Sequence, residues 1–197
     1  MSNFVIPSVL RESATGISRV SIDDILLEKR EVYLTSEIDD ASATEFLKVL
    51  NFLEHDCGGS EITIYISSPG GVVNAGLAIY DYMRAMKSPI TTVCIGNACS
   101  MGAIIFLAGD RRLVMPHSEI MIHDASFGSA NFSGLKPGEI QVKADSLLET
   151  SKLLREIVAE RTGQPLKKVT AAMKDDSFYK AEEALKFGLA TEIVREV

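Results

Sequence analysis

Apolar positions along the chain switch repeatedly between a period of two and a period near 3.6, the mark of strands alternating with helices. Glu31–Thr35 (EVYLT) reads as a strand, and Glu61–Ser67 (EITIYIS) is β-branched and alternating, so it reads as another. Between them, Asp39 and Asp40 are placed to cap a helix running to about Glu54, with Phe46, Val49, Leu50 and Leu53 on one face. Gly58 and Gly59 stop it. The turn Ser68-Pro69-Gly70-Gly71 leads into a helix from about Val72 to Met86, and Ile90–Ile95 (ITTVCI) is a further strand. A second Gly-flanked turn, Gly96-Asn97-Ala98-Cys99-Ser100, opens a short apolar helix. Leu113–Met115 and Ile120–His123 look like strands.

Past residue 124 the pattern changes. Ala125–Gly138 (ASFGSANFSGLKPG) is rich in Gly and Ser. A long amphipathic helix then runs from about Glu139 to Arg161, with Ile140, Ala144, Leu147, Ser151, Leu154 and Val158 recurring at spacings of three and four. Thr162-Gly163 ends it, and Lys167–Lys174 is compatible with a helix. Ala181–Phe187 is a short helix closed by Gly188, and Ala190–Val194 a last strand. The first 20 or so residues are Ser-rich and weakly patterned, compatible with a mobile arm. Repeated βα units imply an α/β fold with largely parallel pairing and right-handed crossovers. The long helix projects from that body, and its apolar face needs a partner, which predicts an oligomer.

Composition narrows the function classes. The chain has 197 residues, enough for one domain with its own core. Its net charge of −7 argues against a nucleic-acid footprint and against an anionic membrane surface. The N-terminus lacks the basic and apolar regions of a secretory signal, and the apolar run GAIIFLAG is too short to span a bilayer. A cytoplasmic location is therefore expected. The three cysteines, Cys57, Cys94 and Cys99, show no zinc spacing, and their odd number speaks against a disulfide framework. Cys94 and Cys99 read as small buried hydrophobes.

The chemistry concentrates at the two Gly-bearing turns. Glycine lets backbone approach a ligand closely, and a helix N-terminus offers free N–H groups to an oxyanion. A serine at such a turn presents its hydroxyl to a carbonyl carbon, and Ser100 has this setting; the competing reading is a helix N-cap. A serine nucleophile needs a base, usually histidine. His55, at a helix end, and His117, in a turn, read as surface residues. His123 ends an apolar strand, where α/β folds often bind ligands; a structural histidine is the other reading.

Together these segments resemble the proteolytic subunit of the Clp protease, a family of serine peptidases. The resemblance runs through nearly the whole chain from about residue 20. It rests on Leu26-Leu27 through Glu31-Val32-Tyr33-Leu34 to Ile38-Asp39-Asp40, and on Ile66-Ser67-Ser68-Pro69-Gly70-Gly71 with Ala75-Gly76 and Ile79-Tyr80-Asp81. It continues in Gly96-Asn97-Ala98-Cys99-Ser100-Met101-Gly102, in Met121-Ile122-His123 and in Thr162-Gly163-Gln164, and ends in Ala181-Glu182-Glu183-Ala184 with Phe187-Gly188-Leu189. The fold it implies is the spiral of ββα units shared with the crotonases, with a long helix as handle. It divides the chain into an axial arm (1–20), a head (21–124 and 163–197) and the handle (125–162). It implies Ser100 as nucleophile, His123 as general base and the Gly71 and Met101 N–H groups as oxyanion hole. It also implies two stacked seven-membered rings around a chamber, a hexameric ring-shaped ATPase that unfolds and feeds substrates, and no cofactor on this chain. Tyr65, Val93 and Leu113 match the groove that receives the ATPase.

The sequence departs from the family in places. The ungapped match from Thr162 to Phe178 sets Ala172 where the family has its catalytic aspartate. Asp124 adjoins His123, but successive strand side chains point to opposite faces. Asp175 and Asp176 follow Ala172 by three and four residues, on the same face if the helix continues. A backbone carbonyl, another polar group or water are the alternatives for orienting His123. Two residues are missing around Gly109–Arg112, and Thr63 and Ala85 replace larger apolar residues near the groove, which should be shallower. Cys99 beside Ser100 reads either as an oxidant-sensitive position or as structural tolerance. Two rivals follow: a weak or silent structural subunit of a mixed ring with a competent paralogue, which Ala172 supports, and an acyl-CoA enzyme of the crotonase type.

Overall fold

The computed structural model describes residues 8–13, 16–128 and 131–195. Two short strands, β1 (Val9–Ser13) and β2 (Gly16–Val20), pair antiparallel as a ribbon of their own. The expected mobile arm is thus partly ordered as a hairpin; its residues 1–7 and 14–15 lie outside the described residues. Helix α1 (Ile22–Glu28) follows, absent from the sequence reading, and is opened by a capping box in which Ser21 and Asp24 each bond the other's backbone N–H.

The body is a seven-stranded sheet. β3 (Glu31–Leu34), β4 (Ile62–Ser68), β5 (Ile90–Cys99), β6 (Arg111–Val114) and β9 (Glu192–Ile193) lie side by side, all parallel. Between β3 and β4 runs α2 (Asp40–Asp56), capped by Asp39, whose carboxylate accepts the Ser42 N–H at 2.7 Å. Its Phe46, Leu50 and Leu53 are buried and Val49 is half-buried, as their spacing requires. α3 (Val73–Ala85) links β4 to β5, and α4 (Met101–Ala108) follows β5 directly, with every one of its residues buried. Ile62, Ile64 and Ile66 on one face of β4 carry the middle of the core.

Residues 96–99, expected as a turn, continue β5. Ile66 faces Cys94 but Ser68 faces Ala98, so β5 carries two extra residues there and bends. Gly96 permits the bend, since a Cβ on it would lie 2.7 Å from the Ser67 hydroxyl. Beyond the bend β5 leaves β6 and pairs parallel with β7 (Glu119–Ile122), through Asn97–Cys99. The result is a strand that delivers Cys99 and Ser100 beside the end of β7.

Helix α5 (Pro137–Thr162) is the long helix. Its buried residues, Ser151, Leu154, Ile157 and Val158, all lie in its C-terminal half; Ile140, Val142 and Leu148 are exposed. α6 (Leu166–Met173) ends three residues before Asp176, and β8 (Ser177–Lys180), not foreseen, pairs antiparallel with β7. α7 (Ala181–Phe187) closes on Gly188 in the left-handed conformation, as its sequence predicts. No helix among the described residues is long and apolar enough to cross a membrane.

Candidate active site

The site is assembled from four chain segments. The first is the turn after β4. Ile38 and Gly71 form a parallel bridge, in which the Ile38 N–H donates to Gly70 O at 2.8 Å and the Val72 N–H to Ile38 O at 2.7 Å. Both bonds flank Gly71, so its own N–H points away from Ile38, to the cleft side. Only glycine fits. Gly71 has φ +151°, and a Cβ there would stand 2.1 Å from Ile38 O. Gly70, at φ +96°, passes so close to the second segment that a Cβ would meet Ser100 Cβ and Cys99 O, each at 2.7 Å. The buried Ser68 holds the turn, donating to Ser36 O at 2.6 Å and accepting the Gly70 N–H at 3.2 Å.

The second segment is the junction of β5 and α4. Ser100 has φ 54° and ψ −122°, a region ordinarily left to glycine. It occupies the N-cap position of α4, yet its hydroxyl makes no capping bond. The hydroxyl points instead at His123, with Oγ 2.8 Å from Nε2. The N-cap reading of Ser100 therefore does not hold. Met101 begins the helix, where a backbone N–H has no intrahelical acceptor. Gly71, Ser100, Met101 and His123 line one small cleft of about 50 Å³, with Val73, Ile104, Leu154 and Met173 as its apolar wall.

The third segment is the end of β7. The Ser100 N–H donates to Met121 O at 2.9 Å, which ties the serine to the strand that carries the histidine. His123 follows directly after β7 and is partly buried. Asp124, the next residue, turns elsewhere. Arg155 of α5 binds it in a forked ion pair, Nε to Oδ1 at 2.7 Å and the second nitrogen to Oδ2. That bond raises the Arg155 pKa above its ordinary value.

The fourth segment is the turn between α6 and β8. The Asp176 carboxylate lies 3.3 Å from His123 Nδ1. The helical spacing argued from Ala172 does not bring it there, because α6 stops at Met173. Strand pairing does: Ile122 faces Ser177 in the antiparallel β7–β8 register, and the next step sets His123 opposite Asp176. Opposed residues of an antiparallel pair share a face. Among the described residues no ion pair joins Asp175 to His123. The usable signal in the sequence was the short alternating run Ser177–Lys180, which the sequence reading had not taken as a strand.

His55 and His117 are exposed and do not line the cleft. Tyr65, Val93 and Leu113 do form one row across β4, β5 and β6, since each faces the next in register. The row begins one strand earlier, at Tyr33, whose ring stacks on Tyr65 at 4.7 Å. Tyr33 is half exposed and Tyr65 and Leu113 are partly exposed, whereas Val93 is buried. Cys94 is buried and its thiol is pushed up to about 11, chiefly by desolvation. Burial likewise raises the Cys99 thiol, which is half-buried.

The arrangement sets a serine hydroxyl within hydrogen-bond reach of an imidazole, with backbone N–H groups at the edge of the same cleft, which is the geometry that nucleophilic catalysis with an oxyanion hole requires. A family model described as Clp protease matches residues 14–197.

Proposed function

Because the chain belongs to the Clp protease family, we propose that it is a cytoplasmic serine endopeptidase subunit, cleaving unfolded polypeptide inside a ring-shaped chamber. The observation that carries this reading is the 2.8 Å approach of Ser100 Oγ to His123 Nε2 at a strained junction where the hydroxyl makes no helix-capping bond.

In the proposed reaction His123 takes the Ser100 proton as Oγ attacks the scissile carbonyl carbon. The carbonyl electron pair moves onto oxygen, and the Gly71 and Met101 N–H groups bind the oxyanion. Collapse breaks the C–N bond, and His123 gives the proton to the leaving amine. Water then attacks the acyl-enzyme with His123 again as base, and Ser100 is regenerated. No metal or organic cofactor is needed for any step.

The same family membership supports assembly into rings. The exposed apolar residues on the N-terminal half of α5 fit a contact between stacked rings, giving a tetradecamer of two heptamers. The Tyr33–Tyr65–Val93–Leu113 row fits the docking surface for a hexameric unfolding ATPase. A second reading is favoured by one residue: Ala172, in place of the expected aspartate, suits a weak or silent subunit that completes a mixed ring with a competent paralogue. Degradation of an unfolded protein separates the two. The pure homomer should cleave it, and Ser100→Ala should not. Cleavage appearing only in mixtures with a paralogue, and surviving Ser100→Ala there, would select the silent-subunit reading.

A further inference from the structure

We infer that Asp176 is the positioning carboxylate of His123, delivered by the β7–β8 register and taking over what position 172 lacks. This rests on the peptidase reading and names a further residue for its reaction. Three observations converge on it. Asp176 Oδ1 lies 3.3 Å from His123 Nδ1, on the ring nitrogen opposite the one that meets Ser100. The nearest sequence rival, Asp124, is committed to Arg155. The turn that carries Asp176 is fastened on both sides, for the Ser177 hydroxyl donates to Ala172 O at 2.6 Å and the Asp124 N–H to Met173 O at 2.7 Å.

The chemistry is direct. A carboxylate at Nδ1 holds the proton there, which leaves the Nε2 lone pair facing the Ser100 hydroxyl. It also favours the imidazolium that forms as the serine attacks. The Asp176 side chain is 63% exposed and His123's 23%, so water and salt reach the pair. The contribution should therefore fall below the ~10⁴-fold of a buried triad aspartate, on the order of 10- to 100-fold. Salt should weaken it further. Raising ionic strength from about 0.01 M to about 1 M shortens the screening length from about 30 Å to about 3 Å.

The test follows the rate at which a fluorophosphonate labels Ser100, together with kcat and KM on a short peptide, in the assembled protein. Asp176→Asn should lower both the labelling rate and kcat by about 10- to 100-fold with KM little changed. Asp176→Glu should restore part of the loss, and Asp175→Asn should behave as the parent. Added salt should slow the parent more than Asp176→Asn. If the parent is labelled and Asp176→Asn matches it, the inference fails while the peptidase reading stands. A loss confined to KM, or one shared by Asp175→Asn, overturns it in favour of a structural role for the turn. A parent that is never labelled removes the peptidase reading, and the inference with it.

Discussion

Replacing Ser100 by glycine should leave a more stable protein than replacing it by alanine, although both remove the hydroxyl proposed as nucleophile. Both variants lose the hydroxyl and its 2.8 Å contact with His123, so that term cancels between them. They differ in the backbone. Ser100 is held at φ 54° and ψ −122°, where a Cβ is strained and glycine is not. Such strain is of order 1–3 kcal/mol per residue. Glycine gives back about 0.5–1 kcal/mol through the greater freedom of its unfolded chain. The net expectation is about 1 kcal/mol in favour of Ser100→Gly, or roughly 2–4 °C in Tm for a chain of this size. Thermal melts of the two variants at one protein concentration and in the same oligomeric state would show it. Ser100→Gly melting at or below Ser100→Ala would mean that the junction is not strained, and the case for a hydroxyl held in place for chemistry would lose its main support.

Gly71→Ala should cut kcat by about 10²–10³-fold, the usual loss of one oxyanion donor, because its Cβ would collide with Ile38 O and force the bridge apart; peptide hydrolysis kinetics would check it. Acid should erode the link between α2 and the start of β5. The Ser88 hydroxyl, then the Lys87 N–H, hold the Glu54 carboxyl below its ordinary 4.5, so the stabilisation is present above that pH and is lost as pH falls through the lowered value. The gap in Tm between the parent and Glu54→Gln should accordingly be widest near neutral pH and close as pH falls through that lowered value. Alkylation of the native protein near pH 8, followed by peptide mapping, should modify the exposed Cys57 first, Cys99 slowly, and Cys94, with its thiol at about 11, only after denaturation.

The legible parts of the sequence were those where one period dominates. The isoleucines of β4 and the Phe46–Leu50–Leu53 stripe of α2 face the core because nothing competes with their alternation or helical spacing. Gly70, Gly71, Ser100 and His123 were legible as well, since each stands at a strand end where glycine or a polar residue interrupts an apolar run. What escaped was tertiary in origin. Residues 96–99 look like a turn by composition, but the partner exchange of β5 from β6 to β7 keeps them extended. The segment Ser177–Lys180 is too short to read as a strand alone; it exists because β7 offers an edge. Asp176 shows the consequence. Local spacing placed it on a helix with Ala172, whereas a non-local register sets it opposite His123. Tyr33 was passed over for the same reason, as only the β3–β4 register reveals that it extends the Tyr65 row.

The central claim is that Ser100 is an activated nucleophile, and the intact mass after incubation with a fluorophosphonate tests it most directly. The expected result is one adduct per chain on the parent, mapping to Ser100, with none on Ser100→Ala and a greatly slowed reaction on His123→Ala. An unmodified parent, or an adduct that persists in Ser100→Ala, would contradict it.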